Sequence, residues 1–219
     1  MKHELTKRIL SSFILIPLTF FFIIKGSFFF NFFILICFFI TSFEWHMMSK
    51  KKSYNIFGFI FLILSFYTVY KLRSDFNGDY MYLLLVILIC VSTDIGGYIF
   101  GKFFKGPKLT KISPNKTYSG MIGGYVFSVI LISLFFKKSF LSINGTEVFT
   151  SNLLVFILLV STISQIGDII ISYFKRISNI KDTGKIIPGH GGLLDRIDGM
   201  IFALPFSYLI ISIDIFPDF

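Results

Sequence analysis

Residues 80–100 read YMYLLLVILICVSTDIGGYIF, a run in which Asp94 alone carries charge. At about 1.5 Å per residue, a helix of that length reaches about 30 Å, the thickness of a bilayer's hydrocarbon core. Apolar blocks recur at 9–24, 28–43, 54–70, 121–136, 152–172 and 199–216, separated by short basic or glycine-containing stretches. The 219-residue chain is 54% hydrophobic and 19% aromatic, with a mean hydropathy of +0.79. Lipid is therefore its solvent, and no large soluble domain fits between the blocks. The expected architecture is all-α: a polytopic integral membrane protein of about seven transmembrane helices. The first two blocks are short and would also suit a re-entrant pair, which sets the range at six to eight. Residues 1–79 then hold the N-terminal transmembrane helices. Residues 80–219 hold a second region with two polar loops, about 101–120 and 173–198, and both regions belong to one membrane domain.

The net charge is +9, which in a soluble chain would raise nucleic acid as a partner. In a membrane protein the excess of Lys and Arg in inner loops accounts for it, so no nucleic-acid partner is expected. Counted by alternate segments from an inner N terminus, sixteen Lys and Arg fall inside. Lys25, Lys71, Arg73, Lys137 and Lys138 fall outside. The asymmetry predicts N-in and C-out, with both polar loops in the cytoplasm, where nucleotides are. Cys37 and Cys90 lie within apolar blocks and support neither a disulfide framework nor a Cys metal site. The first block follows Lys7 and Arg8 without a small-residue cleavage pattern, so it is expected to be a retained helix.

Acidic groups inside membrane segments are costly and are usually kept for a purpose. Asp94 and Asp168 each lie about 21–23 Å down their blocks from the outer end, at the inner part of the core, and could share one site. A plain structural reading, pairing with a Lys, carries equal weight for either one alone. The loop after Asp168 tips the balance. From Ser172 to Met200 it reads SYFKRISNIKDTGKIIPGHGGLLDRIDGM, combining Lys175, Arg176, Lys181, Asp182, Lys185, His190, Asp195, Arg196 and Asp198. Its cations suit a polyphosphate, Arg as a bidentate fork and Lys as a point charge. Gly189, Gly191 and Gly192 would let backbone N–H groups approach an anion. Carboxylates among so many cations suggest Mg²⁺, which prefers one or two carboxylates plus phosphate oxygens. Asp198 opens the last block and has a competing reading as a helix cap. If the helix starts before Asp195, the three-residue spacing puts both carboxylates on one side. His190 reads as a positioning or phosphate-contacting residue. The middle loop repeats the theme: Asp94 precedes Gly96 and Gly97, and Lys108, Lys111, Ser113, Lys116 and Thr117 follow as candidate phosphate or nucleotide contacts.

The run K-R-x4-K-D-x-G-x3-P-G-H-G-G-x2-D-R-x-D, from Lys175 to Asp198, resembles the signature of the phosphatidate cytidylyltransferases. It fixes many polar identities over more than twenty positions. Asp94-Ile95-Gly96-Gly97-Tyr98, Ile112-Ser113-Pro114-x-Lys116-Thr117 and Gln165-x-Gly167-Asp168 resemble the family's other conserved segments, so the resemblance covers roughly 90–205. The chain departs from the pattern at Tyr118-Ser119-Gly120, where the family usually has Trp-Glu-Gly, and at Ile171, where it usually has Glu.

The resemblance implies a polytopic helical fold in the cell (inner) membrane and the reaction of CTP with phosphatidate, giving CDP-diacylglycerol and pyrophosphate. It also implies that Asp168 and Asp195 hold the divalent metal, Mg²⁺, with a monovalent cation such as K⁺ as a candidate assistant. Homodimerisation is left open. Two rival readings are a CTP-dependent kinase or cytidylyltransferase acting on another membrane lipid, and an ion-coupled transporter using Asp94 and Asp168. The transporter would ordinarily show repeated halves with matching helix breaks, which the sequence does not display.

Overall fold

The computed structural model describes residues 2–75, 80–136, 151–213 and 215. Its helices are α1 (Lys2–Lys25), α2 (Ser27–Ser49), α3 (Asn55–Ser74), α4 (Met81–Phe104), α5 (Tyr118–Phe136), α6 (Ser151–Ile177), the single turn α7 (Leu194–Ile197) and α8 (Met200–Ser212). Each apolar block becomes one helix, and the described residues contain no strand. Five helices, α2 to α6, are long and apolar enough to cross a membrane; the apolar part of α1 and all of α8 are shorter. The protein is a multi-pass, all-α membrane protein.

Helices outrun the apolar blocks because backbone hydrogen bonding does not stop where hydrophobicity does. Thus α2 continues through Ser49 and carries Glu44 inside it, and α4, which holds Gly96 and Gly97 as the block at 80–100 does, continues through Phe104. The first two blocks form consecutive helices of 24 and 23 residues, turned at Gly26 with φ of 63°. Of the five outer cations in the charge count, Lys137 and Lys138 lie outside the described residues.

Contacts between helix ends fix how the elements alternate. At one end Ser11 of α1 meets His190, Glu44 of α2 meets Leu193 and Leu194, and Tyr54 before α3 meets Ser178 after α6. At the opposite end Arg73 Nε donates to Ile23 O and Tyr208 Oη donates to Asp75 Oδ2. The α4–α5 and α6–α7 loops therefore share one end. α4 and α5 approach through glycines: a Cβ on Gly120 would come within 2.7 Å of Gly97 O, and one on Gly96 within 2.7 Å of Gly123 O. Small residues of this kind let membrane helices pack backbone to backbone. Thr93, Ser128 and Ser161 tie α4, α5 and α6 by hydroxyl contacts of 2.9 and 3.1 Å. Two apolar clusters complete the core. One joins α3, α4, α6 and α8 around Leu72, Ile89, Phe156 and Leu204; the other joins α2, α3, α6 and α8 around Trp45, Leu62, Ile171 and Ile201.

Candidate active site

The end shared by the two polar loops opens into a cleft of about 540 Å³. Helix α4 contributes Thr93, Asp94, Gly97 and Tyr98, and the α4–α5 loop contributes Ser113, Asn115, Lys116 and Thr117. Helix α6 contributes Gln165, Asp168 and Lys175. The segment after it contributes Asp182, Asp195, Arg196 and Asp198. The five acidic residues singled out in the sequence, Asp94, Asp168, Asp182, Asp195 and Asp198, thus meet in one cleft.

Three of these carboxylates have defined partners. Lys116 Nζ lies 2.5 Å from Asp168 Oδ2, and Ser172 Oγ donates to Asp168 Oδ1 at 3.2 Å. Lys175 Nζ lies 2.9 Å from Asp195 Oδ1 and 3.8 Å from Asp198 Oδ2, so one ammonium bridges two carboxylates. Asp195 Oδ2 also accepts from the backbone N–H groups of Thr183 (2.8 Å) and Gly192 (3.0 Å). Burial pushes the Asp198 carboxyl well above the ordinary carboxylate range, the Asp168 charge adds to this, and Lys175 opposes it. Backbone angles stay α-helical from Leu193 through Asp198 and Gly199. The helix therefore begins before Asp195, and Asp198, whose Oδ1 accepts from the adjacent Gly199 N–H, makes no capping hydrogen bond to α8 among the described residues.

Other predicted residues are placed differently. Arg176, Lys181, Lys108 and Lys111 are exposed and lie outside the cleft lining. His190 Nδ1 is 2.8 Å from Ser11 Oγ, away from that lining. Gly189 and Gly191 adopt φ of 75° and 90°, values that favour glycine, and make the turn possible. None of Gly189, Gly191 and Gly192 lines the cleft. The Gly191 N–H goes to Ile187 O, and the Gly192 N–H to Asp195. Thr117 lines the cleft and also caps α5, accepting from the Gly120 N–H at 3.1 Å. Ile171, at the position where an acidic residue was expected, is buried in the Trp45 cluster, and Ser119 Oγ donates to Lys105 O.

The sequence reading gave no role to Thr93, Asn115 and Gln165, which line the cleft, or to Glu44. Gln165 edges the cleft, and its buried Nε2 has no hydrogen-bond partner among the described residues. Glu44 is 2% exposed and accepts from the Leu193 N–H (2.9 Å), the Leu194 N–H (2.7 Å) and Thr183 Oγ1 (3.1 Å). Its signal was present: apolar residues resume after it at Trp45, Met47 and Met48, so the helix was bound to contain it.

Among the described residues no group of three or more His, Cys, Asp or Glu side chains is arranged to hold a metal ion. The donor set still fits a hard divalent ion held openly. Carboxylate oxygens face the cleft with lysine ammonium groups against them, and Mg²⁺ needs one or two such ligands when phosphate oxygens complete its shell.

Residues 55–214 match the model of the cytidylyltransferase family. Three curated relatives are each named phosphatidate cytidylyltransferase. The protein of Staphylococcus haemolyticus is 41% identical over 65% of this chain and 52% of its own length. That of Bacillus subtilis is 35% identical over 70% and 56%, and that of Rickettsia typhi is 37% identical over 74% and 72%. The chain spans about half the length of the first two relatives. A match over most of the chain, reaching from α3 to the end of α8, makes it a member of the cytidylyltransferase family.

Proposed function

We propose that the protein transfers CMP from CTP to phosphatidate, giving CDP-diacylglycerol and pyrophosphate, with Mg²⁺ held by Asp168 and Asp195. The observation that carries this reading is the cleft itself. Carboxylates and cations from both polar loops meet at one end of a lipid-embedded bundle, where a lipid phosphate and a water-soluble nucleotide can reach the same point.

A phosphatidate phosphate oxygen attacks the α-phosphorus of CTP. The new P–O bond forms as the bond from that phosphorus to the bridging oxygen breaks, and pyrophosphate departs with the electron pair. The nucleophile is already anionic at neutral pH, so no residue has to act as a base. What the chain must supply is charge neutralisation and alignment. Arg196 lines the cleft and is exposed, where a guanidinium can fork onto phosphate oxygens, and Lys116 and Lys175 add positive field beside Asp168, Asp195 and Asp198. Mg²⁺, when bound, would screen the triphosphate and stabilise the leaving pyrophosphate. The lipid enters laterally from the bilayer, and its headgroup meets the nucleotide at the cytoplasmic boundary of the cell membrane.

Purified protein in detergent, given labelled CTP, phosphatidate and Mg²⁺, should release labelled CDP-diacylglycerol. Transfer to a polyprenol instead, or no product from phosphatidate, overturns the assignment. For orientation, Asn144→Cys should be labelled from outside intact cells and Lys181→Cys should not; the reverse pattern defeats a cytoplasmic site.

A further inference from the structure

The N-terminal helices look like mere anchors, since α1 and α2 precede the residues that match the family. The contacts of Glu44 say otherwise. Its carboxyl group, near the end of α2, is buried and spent entirely on the α6–α7 loop and the first turn of α7. Burying such a group is unfavourable unless its oxygens are hydrogen-bonded. Three donors are present here, all from residues 183–194.

Thr183 links this group to the active site. Its hydroxyl donates to Glu44 Oε2, and its backbone N–H donates to Asp195 Oδ2, so one residue joins the buried glutamate to the aspartate that faces the cleft. Gly192, whose N–H also goes to Asp195, sits against the same carboxyl. A Cβ there would come within 2.6 Å of Glu44 Oε2, and one on Gly184 within 2.6 Å of Oε1. Those two glycines are the space the glutamate occupies. The turn α7 has no side-chain cap of its own, because Leu193 stands at that position and Glu44 takes up its N–H groups from across the bundle.

The helix end bearing Glu44 is itself fixed. Trp45 Nε1 donates to Asn55 O at 2.9 Å, Asn55 Nδ2 donates to Ser49 Oγ at 2.6 Å, and the indole packs on Phe174 and Tyr54. A group on a rigid element that sets the geometry of another is how precise sites are supported.

We infer that Glu44 is a positioning residue of the active site, holding residues 183–194 and through Thr183 and Gly192 the Asp195 carboxylate, a role resting on the reading of Asp195 as a cation-binding group. Glu44 does not touch the reacting atoms. It determines where Asp195 stands when substrate and Mg²⁺ arrive.

The test uses the full chain in detergent, comparing Glu44→Gln, Thr183→Val and, one turn back on α2, Thr41→Val as a control. Gln keeps one acceptor but turns an NH₂ group toward donors, and Val removes the hydroxyl while leaving the Thr183 N–H. Two readouts are taken. In hydrogen exchange, the amides of Thr183, Gly192, Leu193 and Leu194 should lose protection in Glu44→Gln while those of α4 and α6 keep theirs. In kinetics, turnover should fall about ten- to a hundredfold and the Mg²⁺ concentration for half-maximal turnover should rise, with the KM for CTP little changed. Thr183→Val should follow in the same direction, and it decides the matter if Glu44→Gln fails to fold. Parental turnover and Mg²⁺ response in folded Glu44→Gln or Thr183→Val overturns the inference. So does the same pattern in Thr41→Val, which would reduce the effect to loss of α2 stability. If the parent itself makes no CDP-diacylglycerol, the proposed reaction fails, and the exchange measurement alone still decides whether Glu44 holds the loop.

Discussion

The two loops that build the cleft are held in opposite ways. The α6–α7 loop is tied to three other elements: to α1 through Ser11 at Pro188 and His190, to α2 through Glu44, and to the start of α3 through Tyr54 and Ser178. The hydrogen bonds of the α4–α5 loop close locally among the described residues, as Leu109 N–H to Lys116 O (2.8 Å), Ser113 N–H to Thr110 Oγ1 (3.1 Å) and Thr117 onto the first turn of α5. Its link to the far side of the cleft is the ion pair of Lys116 with Asp168. One wall is thus fixed by the body of the bundle, and the other is joined across the cleft by a contact that an arriving anion or cation competes for. Under the proposed reaction, which admits two phosphorylated substrates and releases two products, that division leaves one wall free to yield.

The comparison is broken most directly at its acidic residues. Asp168→Asn and Asp195→Asn keep side-chain size but remove the charge, so folding should largely survive while turnover falls by several orders of magnitude, and added Mg²⁺ should rescue them only in part. A Mg²⁺ titration of turnover beside a melting curve measures both. Folded variants that work like the parent at limiting Mg²⁺ would remove these residues from the site. Asp198→Asn should be milder, because its principal contacts in the structure are Lys175 and the next backbone N–H.

Arg196→Ala comes next. Loss of one charge-assisted phosphate contact should cost about 1.5–3 kcal/mol, seen as weaker use of CTP. Unchanged apparent affinity and turnover would make Arg196 a topological charge. Thr117→Ala sharpens the local character of the α4–α5 wall. Losing the cap should destabilise α5 by about 1 kcal/mol, read in the melting temperature, while exchange in residues 183–194 stays as in the parent. The smallest effect is expected for Lys111→Ala, whose residue is exposed and outside the cleft lining; a turnover change beyond twofold, about 0.4 kcal/mol, would show that the α4–α5 loop closes further over substrate than the structure has it.

Apolar runs made the helices legible, since lipid leaves a spanning chain few alternatives to helix. The polar ends were less legible. The block was ended at residue 43 although apolar residues resume at Trp45, Met47 and Met48, so Glu44 fell just past its bound and its burial went unseen. Asp168, Asp195 and Asp198 were identifiable from charge and spacing, because carboxylates beside a membrane block stand out. The use of each cation was not, since Lys175 and Lys181 look alike in sequence. Only the fold shows that Lys175 bridges Asp195 and Asp198 while Lys181 faces outward. The glycines of the Pro188 turn were read as an anion cradle. The fold uses Gly192 to admit the carboxyl of a helix more than a hundred residues away, a long-range fit that no local pattern encodes.

Trp45 is the single tryptophan of the chain, 3% exposed and seated beside Glu44 against Tyr54 and Phe174. Excitation at the red edge of the protein's absorption therefore addresses one chromophore, already located at the foot of the α6–α7 loop. Its emission should be blue-shifted and shielded from aqueous quenchers, and a shift toward longer wavelength on loosening of the loop would make substrate-linked motion visible in real time without attaching a dye.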